Sequence, residues 1–235
     1  LLYEATGFAT YLVPSTRNGS SLSQWEAGSD LLDRSTLFGS TLFRGLVSAG
    51  IEANPVPAGG GGGSEGGPAS ALVWYQGESD AASGSVRTLF QGRTDAIMDE
   101  FQAELGTPVV YVQLASDYDE QANVRLHAVA ELQRQMETAF GNGEERDAFH
   151  MVPAYDLPRS DQVHLSAFGH RVLAERVQLA IREHVLGESV DGTGPRLTEL
   201  RWVGDKIYIR TTRGLQNGPL DAAYFTVFEG PPVGD

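Results

Sequence analysis

The feature that most constrains this chain is a pair of short, almost uninterrupted apolar runs, Ala71 to Tyr75 (ALVWY) and Pro108 to Leu114 (PVVYVQL). A strand with one wet face alternates polar and apolar residues, whereas a strand that is apolar throughout must be covered on both faces. Between the two runs, residues 85–105 carry Val86, Leu89, Phe90, Ile97, Phe101 and Leu105 at helical spacing. A second such stretch follows at 121–140, with Val124, Leu126, Val129, Leu132, Met136 and Phe140, and then a short apolar strand from Phe149 to Val152. Strand–helix alternation with buried strands predicts an α/β fold: a parallel sheet between two helical layers.

The rest of the chain fits around this frame. Residues 10–14 read as a short buried strand and 35–50 as a helix stopped by Gly50. The tract 54–69, with glycines at every position from 59 to 63, cannot bury a core and reads as a flexible loop. Ser166 is placed to cap a helix running through Val172, Leu173, Val177, Leu179, Ile181 and Val185 to Gly187. Beyond Gly187 the texture changes. Residues 190–195 form a linker, 197–203 and 206–212 flank Gly204-Asp205 as a hairpin, and 224–228 read as a third strand. The expected division is therefore a domain over 1–187 and a β appendage over 188–235.

Composition narrows the partners. A formal net charge of −14 argues against nucleic acids and anionic membranes. No apolar run approaches the roughly 18 residues that span a bilayer, so membrane insertion is not expected. Cysteine is absent, which removes thiol nucleophiles and thiolate metal sites, and the five histidines show no paired metal spacing. No metal or cofactor is expected. The chain does not begin with Met, so Leu1 reads as the interior of a longer chain or a trimmed end.

Three polar clusters sit just past apolar strands: Asn18-Gly19-Ser20-Ser21, Gln76-Gly77-Glu78-Ser79-Asp80, and Asp161-Gln162-Val163-His164. In a doubly wound sheet the carboxyl ends of the strands share one edge, where ligands bind, so these clusters should meet in one cleft. Asp161 and His164 suit a general base whose tautomer is fixed by a carboxylate. The Gln76 side chain and the Gly19 backbone N–H can each donate to a developing oxyanion. Glu78, Asn18 and Trp25 are candidate substrate contacts, although a core aromatic is the safer reading of Trp25.

These clusters resemble the SGNH (GDSL-like) hydrolases, and within them the carbohydrate esterases that include sialic-acid O-acetylesterases. NGSSLSQW (18–25), LVWYQGESDA (72–81), VVYVQL (109–114) and DQVHLSAFGHRVLAERV (161–177) carry the resemblance. TGPRL (193–197) with its hairpin resembles the start of the β-domain that trails some members. The resemblance implies a flavodoxin-like three-layer α/β/α sandwich. It implies His164 as base, Asp161 as its orienter, Gly19 and Gln76 as oxyanion donors, and hydrolysis of an O-acetyl ester on a sugar through an acyl-enzyme without metal. An extracellular, surface or virion-associated protein follows by analogy with enzymes that act on glycans.

The chain departs from that pattern at one point. The family's nucleophilic serine sits in a Gly-Gln/Asp-Ser-Asn/Leu turn after the first strand, and neither the turn nor that strand is recognisable here. The nucleophile is then expected from a missing N-terminal piece or a second chain. The rival reading is a non-catalytic glycan-binding module on the same scaffold, as in an adhesin or a viral tail protein.

Overall fold

The computed structural model describes residues 2–7, 14–33, 35, 71–83, 86–116, 124–140, 149–194, 197–204 and 206–211. The expected strand at 10–14, the helix at 35–50, the glycine tract and the strand at 224–228 lie, wholly or nearly so, outside these residues.

Among the described residues, three parallel strands form the sheet, in the order β1 (Leu72–Trp74), β2 (Val109–Val112), β3 (Phe149–Val152). The register pairs Val73 with Val110 and Val110 with His150. Helix α1 spans Leu2–Thr6, and a short 3-10 turn covers Leu22–Gln24. Between the strands lie α2 (Glu78–Ser83), α3 (Val86–Leu105) and α4 (Val124–Phe140); α5 (Ala167–Ala180) follows β3.

The period-2 geometry of β2 divides the core. Val109 and Tyr111 pack with Phe90, Ile97, Met98 and Phe101 of α3 and with Val129, Ala130 and Met136 of α4. Val110 and Val112 point the other way and pack with Val152, Leu165 and, from α5, Leu173 and Ala180. Both faces of the strand are thus dry, as its composition requires, and the architecture is a three-layer α/β/α sandwich. Strand β1 is the exception. Leu72 and Trp74 face the α3/α4 core, but Val73 is 47% exposed on the opposite face.

Helix α5 begins as expected: the Ser166 hydroxyl accepts from Gly169 N at 3.1 Å. Its end is less regular. Ile181–Val185 form a π-helical turn closed by Leu186 N donating to Ile181 O at 3.0 Å. His184 of this turn stacks on His150 of β3, with ring centroids 3.7 Å apart and nearly parallel planes. Residues 188–193 fold back onto the same turn. The Glu183 carboxylate accepts from Gly192 N (2.7 Å) and Thr193 N (3.1 Å), and Arg182 pairs with Glu188 at 2.8 Å. The chain accordingly divides between Thr193 and Gly194, later than the 187/188 boundary read from composition.

The second unit is an antiparallel hairpin of β4 (Leu197–Val203) and β5 (Lys206–Thr211), with Gly204 at φ +63° in its turn. Arg201 lies over the Tyr208 ring, and Trp202 Nε1 donates to Gly204 O at 2.6 Å.

Candidate active site

Strand β1 runs directly into the Gln76–Asp80 cluster. Gly77 has φ +142°, and a β-carbon there would lie 3.0 Å from both Leu114 Cδ1 and Val129 Cγ1. Glycine is the residue that permits this turn beneath the end of β2. Buried Gln133 ties the two strand ends together. Its Nε2 donates to Gln76 O (3.0 Å) while its Oε1 accepts from Leu114 N (2.8 Å). The polar stretch goes on to start helix α2 at Glu78.

The second cluster is a tight turn. Ser20 N donates to Arg17 O at 3.3 Å, with Gly19 at φ +69°. Asn18 and Gly19 are exposed, and the Gly19 N–H donates to none of the described residues. Trp25 anchors the turn from beneath: its Nε1 donates to Ser20 Oγ at 3.0 Å. The ring is 4% exposed and meets Trp74 edge-to-face at 5.2 Å. Trp25 is therefore a core aromatic, not a sugar platform, because neither ring face is open to a ligand.

Gln76 also differs from expectation. It is buried, and its Nε2 donates to Ser20 O at 3.3 Å and to the Asp80 carboxylate. Both amide hydrogens are engaged within the protein, so in this conformation Gln76 staples two loops and does not present a free oxyanion donor. Asp80, also buried, accepts in addition from Leu22 N at 3.0 Å.

The third cluster lies in the loop before α5. Asp161 Oδ1 accepts from Val163 N and His164 N, each at 2.8 Å, and Oδ2 meets His164 Nδ1 at 2.9 Å. The loop is closed by Ser160 N donating to His164 O (2.8 Å) and by Arg159 Nη1 donating to Gln162 O (2.7 Å). Val163 packs onto the core, while His164 is exposed.

The electrostatics connect this loop to β1. Two backbone N–H groups, His164 and then Val163, hold the Asp161 carboxyl well below the usual carboxylate range. The hydrogen bond that His164 donates to Asp161, followed by the charge of Asp161, raises His164 above the ordinary imidazole value, and Glu78 adds to the rise. Burial pushes the Glu78 carboxyl up, opposed by backbone N–H groups and by the charge of His164. Burial, then Glu78, pushes the Tyr75 phenol up, with Arg159 opposing. Hydrogen bonds thus join residues 18–22 to 76–80, and mutual fields join Glu78 to His164 and Tyr75 to Arg159. The clusters share the carboxyl edge of the sheet.

Among the described residues no group of three His, Asp or Glu side chains is placed to hold a metal ion. Nor does any described serine hydroxyl bond the His164 ring: Ser160 Oγ reaches only the His164 carbonyl, at 3.3 Å, and Ser21 Oγ reaches Ser23 Oγ at 3.0 Å.

With an imidazole–carboxylate pair beside a glycine turn on this edge, comparison with known proteins becomes informative. The model of the carbohydrate esterases described as sialic acid-specific acetylesterases matches residues 2–183. The chain belongs to this family. Among solved structures, this acetylesterase-family chain is similar to a carbohydrate acetylesterase from Xanthomonas citri, with a TM-score of 0.57 and 20% identity over 89% of the chain. At that identity the likeness shows the fold. The chain spans 45% of that relative's length. No curated protein matches the sequence. Within the family domain, Asp80, Gln133 and Tyr75 are the site residues that sequence reasoning left without a role. Asp80 stood in view in the Glu78-Ser79-Asp80 string, but its partner Leu22 is remote in sequence.

Proposed function

We propose that the protein is a carbohydrate O-acetylesterase of the SGNH type, acting on acetyl esters of sugars. The observation that carries this reading is the 2.9 Å contact between His164 Nδ1 and Asp161 Oδ2, with Glu78 near enough for its charge to raise the imidazole further. With Nδ1–H held by Asp161, Nε2 of the neutral ring is the free lone pair. It takes the proton from a seryl hydroxyl as that oxygen attacks the ester carbonyl. The carboxylate stabilises the imidazolium that forms. The Gly19 N–H supplies a donor to the tetrahedral oxyanion. The imidazolium then returns its proton to the departing sugar oxygen, leaving an acetyl-enzyme that water hydrolyses by the same route.

We assign the attacking serine to a segment outside these 235 residues, because no Gly-Gln/Asp-Ser-Asn/Leu turn occurs in them. Glu78 and Asn18, at the rim of the edge, are proposed contacts for the sugar. The substrate is an acetylated carbohydrate, and a secreted or surface location follows from such a substrate.

The test is hydrolysis of 4-nitrophenyl acetate and an O-acetylated sugar by the full-length protein, with and without His164→Ala. Turnover abolished by the substitution supports the reading; equal turnover in the variant overturns it. Labelling with a serine-directed fluorophosphonate, followed by peptide mapping, locates the nucleophile. A label on Ser20, Ser21 or Ser79 would overturn the assignment to an outside segment.

A further inference from the structure

The site contains a buried carboxylate for which the proposed chemistry has no use. Asp80 is 8% exposed, and among the described residues no Arg, Lys or His forms an ion pair with it. An isolated buried carboxylate is costly unless hydrogen bonds replace its water. Here they do. Leu22 N approaches both oxygens, at 3.3 Å and 3.0 Å, and the Gln76 amide donates to Oδ2. Both donors point at one group, so the site calls for an acceptor with no hydrogen of its own. An Asn would turn an N–H toward one of the two donors.

The two donors come from the two halves of the site. Gln76 lies at the end of β1, and Leu22 opens the 3-10 turn just after Gly19. The Gly19 turn is otherwise tied at Ser20, where Trp25 Nε1 reaches the hydroxyl and Gln76 Nε2 the carbonyl. Asp80 holds both the next stretch of backbone and the amide that makes the second of those ties. We propose that Asp80 is a positioning residue: its carboxylate clamps the Gly19 turn to the end of β1 and so fixes where the Gly19 N–H points. It touches no substrate. Its effect reaches the reaction through the direction of the oxyanion donor, where a displacement of about 1 Å can cost on the order of 100-fold in rate.

This inference rests on the esterase reading, and two readouts separate their fates. The first is steady-state hydrolysis by the full-length protein and its Asp80→Asn and Asp80→Ala variants. Asp80→Asn keeps the Leu22 contact and should lower kcat about tenfold; Asp80→Ala should lower it on the order of 100-fold. KM and the acid limb of the pH profile, which belongs to His164, should hold in both. The second readout needs no activity: amide hydrogen exchange over residues 19–25. Asp80→Ala should speed exchange at Leu22 at least tenfold while α3 and α4 keep their protection. A folded Asp80→Ala variant with native kcat, or with unchanged protection at Leu22, overturns the proposal. A wild-type protein without turnover counts against the esterase reading, and the exchange result then decides the clamp alone. Asp80→Asn covers the case in which the alanine variant does not fold.

Discussion

Asp161 meets His164 with both of its oxygens. One accepts the His164 and Val163 backbone N–H groups, and the other meets the imidazole Nδ1 at 2.9 Å. The ring and the backbone that carries it are thus fixed by the same carboxylate, across a spacing of three residues. This arrangement fixes a pH dependence. A base acts when neutral, so an imidazole raised above its ordinary value brings the acid limb of kcat/KM in above about 6.5. Asp161→Asn removes the carboxylate that is the main cause of that rise. The limb should move to lower pH, while kcat falls on the order of 10³–10⁴-fold because Nδ1–H loses its acceptor. Both groups are exposed, so the effect should appear in rate and leave the melting temperature nearly unchanged. A pH–rate profile beside a thermal melt checks both parts.

Gly169 is where α5 seats against this loop. A β-carbon at 169 would collide with the carbonyl oxygen of Pro158, which already accepts Ser166 N at 2.9 Å. Backbone at such a contact cannot yield as a side-chain tip does. Gly169→Ala should therefore shift residues 158–166, lowering stability by about 1–3 kcal/mol and reducing kcat. Ser166→Ala should cost about 1 kcal/mol through the lost cap, without a comparable change in kcat. Denaturant titration and steady-state kinetics on the two variants separate a displaced loop from a weakened helix end.

Much of the frame was legible because it follows from local periodicity. Strand β3 spans the Phe149–Val152 predicted for it, and the hairpin about Gly204 needs only alternating residues and a turn. Helix α3 runs over Val86–Leu105, where apolar spacing placed it. What escaped the sequence depends on contacts between distant residues. Nothing near Gln76 announces that its amide is spent on Ser20 and Asp80. Nothing near Trp25 tells a core indole from a sugar platform until Trp74 is placed against it. The same holds further on: residues 190–195 look like linker, yet Glu183 accepts from the backbone N–H groups of Gly192 and Thr193. The His164–Asp161 pair lay between these extremes, since three-residue spacing permits the contact without requiring it.

Trp25 gives a test of the corrected reading. As a core aromatic edge-on to Trp74, with its Nε1 on Ser20 Oγ, it should cost about 3–5 kcal/mol when truncated to alanine. Trp25→Phe keeps most of the packing but loses the hydrogen bond and part of the indole's volume, so its cost should be smaller, about 1–3 kcal/mol. A sugar platform would behave in the opposite way, with little loss of stability and a large rise in KM for the sugar ester. Melting curves and KM for 4-nitrophenyl acetate against an acetylated sugar distinguish the two.

Glu78 offers a prediction in which the sign is decisive. Burial raises its folded-state value above the ordinary 4.5, so the native protein holds this proton more tightly than the unfolded chain does. Stability must then fall as pH rises from the unfolded value through the folded one, the reverse of a salt-bridged acid. Glu78→Gln, nearly isosteric and uncharged, should be more stable than the parent at pH 7–8. The gain should shrink on acidification and vanish below about pH 4, where both states of Glu78 are protonated. The same substitution removes a negative charge that helps raise His164, so the acid limb of kcat/KM should move down, by less than in Asp161→Asn. If Glu78 contacts the sugar as well, KM for the sugar ester rises while KM for 4-nitrophenyl acetate holds. Melts across pH 3.5–8 with both substrates read all three effects from one variant.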